Sequence, residues 1–193
     1  MAKPPKKPIG EWRSVLMDHP DYVSAIGMIS IENANLEIAL ADVLAAVLGT
    51  RAEVGRAIFF TPRAAILRVD ILEAAAKSRL RPKKEGDQFW ENEPGKADAL
   101  KRVLGIVANA KSAIGRRHAV IHDAWGTDDA TGDVTRESLP LSGAAKVEEL
   151  SALNNLVRDI RGTIYKAKAL ASSLRKRPPT LIDLRITPPD KTP

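Results

Sequence analysis

Apolar residues recur at three- and four-residue steps along most of this chain, the spacing of helices that bury one face. Ile29, Leu36, Leu40, Val43 and Val47 form the first such line. Pro20, a favoured first helical residue, and Gly49, a favoured stop, bracket a helix from residue 20 to about Leu48. Glu32 falls on this line between Ile29 and Leu36, where an acid must find a partner or stay protonated. A short helical piece follows at Ala52–Phe60. Thr61 as N-cap with Pro62 behind it then predicts a helix through Ala64, Leu67, Ile71, Leu72, Ala75 and Ala76 towards Leu80. Residues 81–95 read as a polar loop. A long helix from about Lys96 to about Ala124 places Leu100, Leu104, Val107, Ala110 and Ile114 on its buried side.

After Trp125-Gly126 the helical period breaks. A turn cluster holding Asp128, Asp129, Gly132 and Asp133 precedes the alternating Val134-Thr135, which predicts a small β-hairpin. The three acids match no EF-hand spacing, so a turn is preferred to a calcium loop. The last helix, from about Ala144 to Lys176, carries the stripe Val147, Leu150, Leu153, Val157, Ile160, Ile164, Ala167, Ala171 and Leu174. The expected fold is all-α, an antiparallel bundle of four to five helices over residues 20–176 with a small β-hairpin inserted before the last helix.

Composition agrees: aromatics are only 4% of the 193 residues, too few for a sandwich or barrel. The chain has no cysteine, which excludes disulfides, Cys-ligated metal centres and a thiol nucleophile. The net charge of +6 belongs to the two ends. Lys3, Lys6, Lys7 and Arg13 against Glu11 account for one half, and residues 175–193 for the other. Both ends are proline-rich, so residues 1–19 and 177–193 read first as solubilising tails, and alternatively as basic arms that add salt-sensitive affinity for an anionic partner. The body is polarised: Ser14–Thr50 holds five acids and no Lys or Arg, whereas Arg63–Lys84 holds seven basic residues against Asp70 and Glu73. Such blocks are usually solvated faces of neighbouring helices that attract one another. The basic start has no apolar run behind it, and Tyr22–Ile31 is far shorter than the ~20 residues of a spanning helix. A cytoplasmic protein without a membrane partner is expected.

The usual signatures of ATPases, dinucleotide enzymes, zinc proteases and serine hydrolases are absent. The chemistry concentrates in Arg116-Arg117-His118-Ala119-Val120-Ile121-His122-Asp123-Ala124-Trp125-Gly126, at the end of the long fourth helix. Arg117 lies three residues after Ile114 and four before Ile121, near the core line. His118 and His122 are one turn apart on a shared face. Imidazole exchanges protons near neutrality, and guanidinium stabilises charge on a phosphate. Two structural alternatives use the same residues. Arg117 can pair with a core acid such as Glu32, and His122 can cap the carbonyls at its helix end. His118-x-x-x-His122 from two copies can also build a four-His metal site.

Arg117-His118-Ala-Val-Ile-His122 resembles the R-polar-x-x-x-H signature of the HEPN superfamily (higher eukaryotes and prokaryotes nucleotide-binding domains). His122-Asp-Ala-Trp125-Gly126 is similar to its longer variants, with Asp123 where Gly is frequent. The resemblance covers about eleven residues of motif and, in helix order, roughly residues 20–175. It implies a metal-independent endoribonuclease without cofactor, with two copies pairing so that their motifs share one cleft. A relative that kept only a binding or scaffold role is the alternative. By this resemblance His122 activates the ribose 2′-hydroxyl, Arg117 holds the phosphate and a 2′,3′-cyclic phosphate remains. His118 would orient the pair or act as a second acid–base group. The spacing makes Glu32 the acid expected to position Arg117. Arg116, Lys111 and Trp125 are the expected RNA contacts. The family setting also implies a toxin or defence role with an antitoxin or other regulatory protein as a further partner.

Overall fold

In the computed structural model, residues 16, 18–81, 95–128, 131–137 and 146–176 are described. The tails expected at residues 1–19 and 177–193 fall almost wholly outside them, as does most of the 81–95 loop. Five helices are seen among the described residues: α1 (Pro20–Leu48), α2 (Ala52–Phe60), α3 (Ala65–Leu80), α4 (Lys96–His122) and α5 (Leu150–Lys176). Between α4 and α5 lie three short strands, β1 (Ala124–Thr127), β2 (Val134–Glu137) and β3 (Lys146–Val147). They pair antiparallel in the order β1-β2-β3, so the expected hairpin gains a third strand. No helix among the described residues is long and apolar enough to cross a membrane.

Helix α1 packs against all four others and is the spine of the core. Ile29, Leu36, Leu40, Val43, Leu44 and Val47 are buried along it. Its stop is as expected: Gly49 takes a left-handed φ of 67°, where its N–H reaches back to Ala45 and Ala46. The chain then folds α2 tightly back onto α1. At Gly55 a β-carbon would stand 2.4 Å from that of Ala45, so only glycine permits this approach. Helix α3 starts later than expected, at Ala65 rather than after Thr61. The Thr61 hydroxyl donates to Ala57 O at 2.8 Å, closing α2 instead of opening α3. Arg68 takes over the turn, donating to Pro62 O and Arg63 O while its Nη1 meets Glu37 at 2.6 Å.

Three contacts set the directions of the long helices. Tyr22 donates to Glu148 O, Arg161 pairs with Glu32, and Arg175 pairs with Asp42. Rising numbers on α1 thus meet rising numbers on α5, and these two neighbours run parallel, not antiparallel as expected. Helix α4 runs against α5: Arg116 meets Asp159, and the groove between them joins Asn109 to the level of Lys166. The physical reason is topological. The small sheet turns the chain back at the end of α4, so α5 returns alongside the equally directed but distant α1.

The last helix begins at Leu150, and Val147, expected on its stripe, lies in β3 opposite Thr135 and is 58% exposed. On α4 the buried residues are Val103, Ile106, Val107, Ala110, Ala113 and Val120, while Leu100 and Ile114 are only partly buried. The helix is therefore rotated slightly from its expected orientation. The inner line 106-110-113-117-120 now runs directly through Arg117.

Candidate functional site

The C-terminal end of α4 is held by the small sheet. Asp123 N–H closes the helix on Ala119 O. Arg136 of β2 pairs with Asp123 at 3.2 Å and with Glu148, just ahead of α5, at 2.9 Å. Its guanidinium also lies over the Trp125 ring, 5.9 Å from the centroid. Trp125 is buried, donates from Nε1 to Val120 O at 3.0 Å and meets Tyr22 edge-on. This removes Trp125 from the expected RNA contacts. A tryptophan with its face, edge and N–H all engaged by protein locks a helix end and offers nothing to a base. Arg136, which carries the clamp, lies outside the motif and no spacing signal marked it.

On this anchored end the motif side chains diverge. His118 and His122 are exposed with ring centroids 4.4 Å apart, forming a small imidazole platform on one flank. Neither makes a hydrogen bond or ion pair to protein among the described residues. Arg117 points inward along the core line. Its Nε is buried without a hydrogen-bond partner, and no carboxylate pairs with its guanidinium among the described residues. A partly covered, permanent cation with idle donors is rare, because leaving such a group unsatisfied costs a few kcal/mol.

Glu32 does not supply the missing partner. Its carboxylate accepts from Arg161 Nε at 2.8 Å and from Asn35 at 3.2 Å. The Arg161 hydrogen bond, chiefly, holds it below the usual glutamate range. The residue on the α1 core line between Ile29 and Leu36 is the neighbouring Asn33, 8% exposed, while Glu32 sits at the edge facing α5. Glu32 was one position from the inner face, too far round the helix to reach Arg117. Among the described residues, Asn33 Oδ1 is the other buried side-chain atom without a partner. The ion pairs of Glu32 with Arg161 and of Arg116 with Asp159 place Asn33 and Arg117 within about one turn of each other in height. Both side chains lean towards the N-termini of oppositely directed helices, and hence towards one another.

Lys111 faces α3. Its ammonium meets Asp70 and Glu73, both at 2.7 Å, and Glu73 also receives Lys77 at 2.6 Å. Hydrogen bonding to Asp70, then Glu73, raises the Lys111 pKa, while Lys111 and Lys77 lower that of Glu73 to about 2. Lys111 is thus spent on tertiary structure and is not placed as a free RNA contact. Arg116 lies on the opposite flank, exposed, paired with Asp159 at 2.7 Å and bordering a groove between α4 and α5. The structure therefore keeps Arg117, His118 and His122 on one helix end, with Arg117 turned inward and the imidazoles outward, turns Arg116 towards α5, and gives Glu32, Lys111 and Trp125 structural duties. Asp128 N–H donates to Asp133 O and Gly132 N–H to Asp128 O, with Gly132 at φ 74°; Asp129 of the expected turn lies outside the described residues. Comparison with known protein families, characterised proteins and solved structures finds no match to this chain.

Proposed function

We propose that this protein is a HEPN-like, metal-independent endoribonuclease that cleaves RNA by attack of a 2′-hydroxyl and leaves a 2′,3′-cyclic phosphate. The observation that carries this reading is Arg117: a partly covered guanidinium with no acid beside it among the described residues, on the same helix end as the exposed pair His118 and His122. A phosphate supplies the acceptors that Arg117 lacks, and its charge makes that pairing the strong one. His122 takes the 2′-hydroxyl proton as the P–O2′ bond forms and the P–O5′ bond breaks, and His118, tilted against it, orients it or gives a proton to the departing 5′-oxygen. A second copy would bring the same three side chains to the opposite side of the cleaved bond. Nothing in this scheme calls for a cofactor.

A second reading is favoured by Asn33. Its idle carbonyl oxygen complements the idle Arg117 donor, so the two can form a polar layer inside a non-catalytic module that binds RNA.

The test is an RNA digest in excess chelator with wild type, Arg117→Ala and His122→Ala, each checked for an unchanged helical spectrum. Cleavage that survives chelation, ends in cyclic phosphate and falls at least about 100-fold in both variants supports the nuclease. Chelator-sensitive cleavage would assign the His pair to a metal instead. Binding without cleavage, with Arg117→Ala and Asn33→Ala equally destabilised, would establish the second reading.

A further inference from the structure

The outward face of α5 and its junction with α4 carry a feature that the motif does not explain. A groove of about 380 Å³ runs between the two helices, bordered by Arg116 of α4 and by Arg158, Asp159 and Lys166 of α5. Three permanent or strongly basic cations face one acid, so the groove is positive. Gly162 and Ala113 form part of its wall, which keeps it open to something thicker than a side chain. Lys166 makes no ion pair among the described residues, and Arg158 donates only to Asn155. Beside this row stands Tyr165, 77% exposed, one residue before Lys166, one turn after Arg161 and two turns after Arg158. A tyrosine left so far in water covers no core. Cations spaced along a groove with an aromatic ring at its lip are what a single nucleic-acid strand requires: charge for phosphates and a flat face for a base.

We propose that the α4–α5 groove is the binding track for single-stranded RNA, with Arg116, Arg158 and Lys166 contacting successive phosphates and Tyr165 stacking on a base. The identity of the ligand rests on the ribonuclease reading, but the site is separate from the reacting groups. Arg116 borders the groove on α4, whereas His118 and His122, two and six residues further on, lie on the opposite side of that helix, so the groove and the imidazole pair are separate surfaces. Asp159 both opposes phosphate and restrains Arg116, which makes it the brake on this site. A folded RNA duplex fits less well, because its bases are already stacked and leave Tyr165 without a partner.

The experiment uses a short fluorescein-labelled oligouridylate with 2′-O-methyl sugars, which cannot be cleaved, and reads anisotropy against the full chain. Arg158→Ala with Lys166→Ala should weaken binding at least tenfold and reduce the slope of log K against log salt by about 1.4, the value for two lost phosphate contacts on a single strand. Tyr165→Ala should weaken it at least fivefold, with Tyr165→Phe keeping wild-type affinity. Asp159→Asn should bind more tightly than wild type. Unchanged affinity in the double variant overturns the proposal, as does a Tyr165→Ala protein that binds normally. Equal displacement of the oligonucleotide by polyglutamate would overturn it too, in favour of an acidic protein partner. Failure here is separable from failure of the nuclease: cleavage with normal KM in the groove variants rejects the track alone. Groove-dependent binding without any cleavage rejects the nuclease alone.

Discussion

The two flanks of α4 carry similar charges and use them in opposite ways. Towards α3, Lys111 is enclosed by Asp70 and Glu73, and Lys77 completes a closed four-membered network. Towards α5, Arg116 has a single exposed acid, while Arg158 and Lys166 have no carboxylate partner among the described residues. A cation held by two carboxylates at hydrogen-bonding distance has satisfied donors and little attraction left for a phosphate. A cation beside one exposed acid keeps most of its field. Basic residues alone do not identify a binding surface; the decisive quantity is the acid brought against them by the neighbouring helix.

Reversing charge should expose this difference most strongly. Lys111→Glu places a third acid against Asp70 and Glu73 and is expected to lower the urea unfolding midpoint, from lost pairing plus like-charge repulsion. Lys166→Glu on the other flank should leave the unfolding midpoint unchanged; equal losses at both positions would erase the contrast. Lys111→Ala should lower the midpoint less than Lys111→Glu and should leave RNA affinity within about twofold of wild type.

A smaller effect should appear with pH. Because Glu73 is lowered in the folded state from 4.5 to about 2, its contribution to stability is present above its ordinary value and is lost as pH falls through the interval between the two. Lys111 is shifted upwards, so its contribution holds below its ordinary value of 10.5 and is lost only as pH rises past the folded-state value. A Glu73→Gln protein should therefore show a shallower loss of melting temperature on acidification than wild type. An unchanged acid profile would mean that the network contributes nothing. The smallest effect concerns salt: Asp70 and Lys77 are about half-exposed, so the network is screened and contributes little, and moderate salt should shift the melting temperature by only about a degree or two. RNA affinity should fall steeply over the same range.

Much of this was legible in the chain. Pro20, Gly49 and the apolar line between them bound α1 correctly, and the loss of period after Trp125 announced the strands. His118 and His122 lie together on one face, where helical spacing put them. The misplacements were of another kind. Glu32 and Asn33 differ by one position, and either fits a loose reading of the α1 line; only packing against α4 and α5 shows that Asn33 faces in. Thr61 has the chemistry of a cap for α3 and uses it to close α2. Trp125 and Lys111 have the right chemistry for RNA and find protein partners first.

What the sequence by itself determined is the set of helices, the approximate apolar line of each and the residue types gathered at the end of α4. Those are properties of a single element, governed by a period of 3.6 residues and by local capping. The tertiary structure alone decided the parallel run of α1 and α5, the isolation of Arg117 from Glu32, the neutralisation of Lys111 and the groove joining Arg116 to Arg158 and Lys166. Each depends on how one helix is rotated against another. A rotation of one residue, about 100°, exchanges a buried partner for an exposed one without changing any local signal.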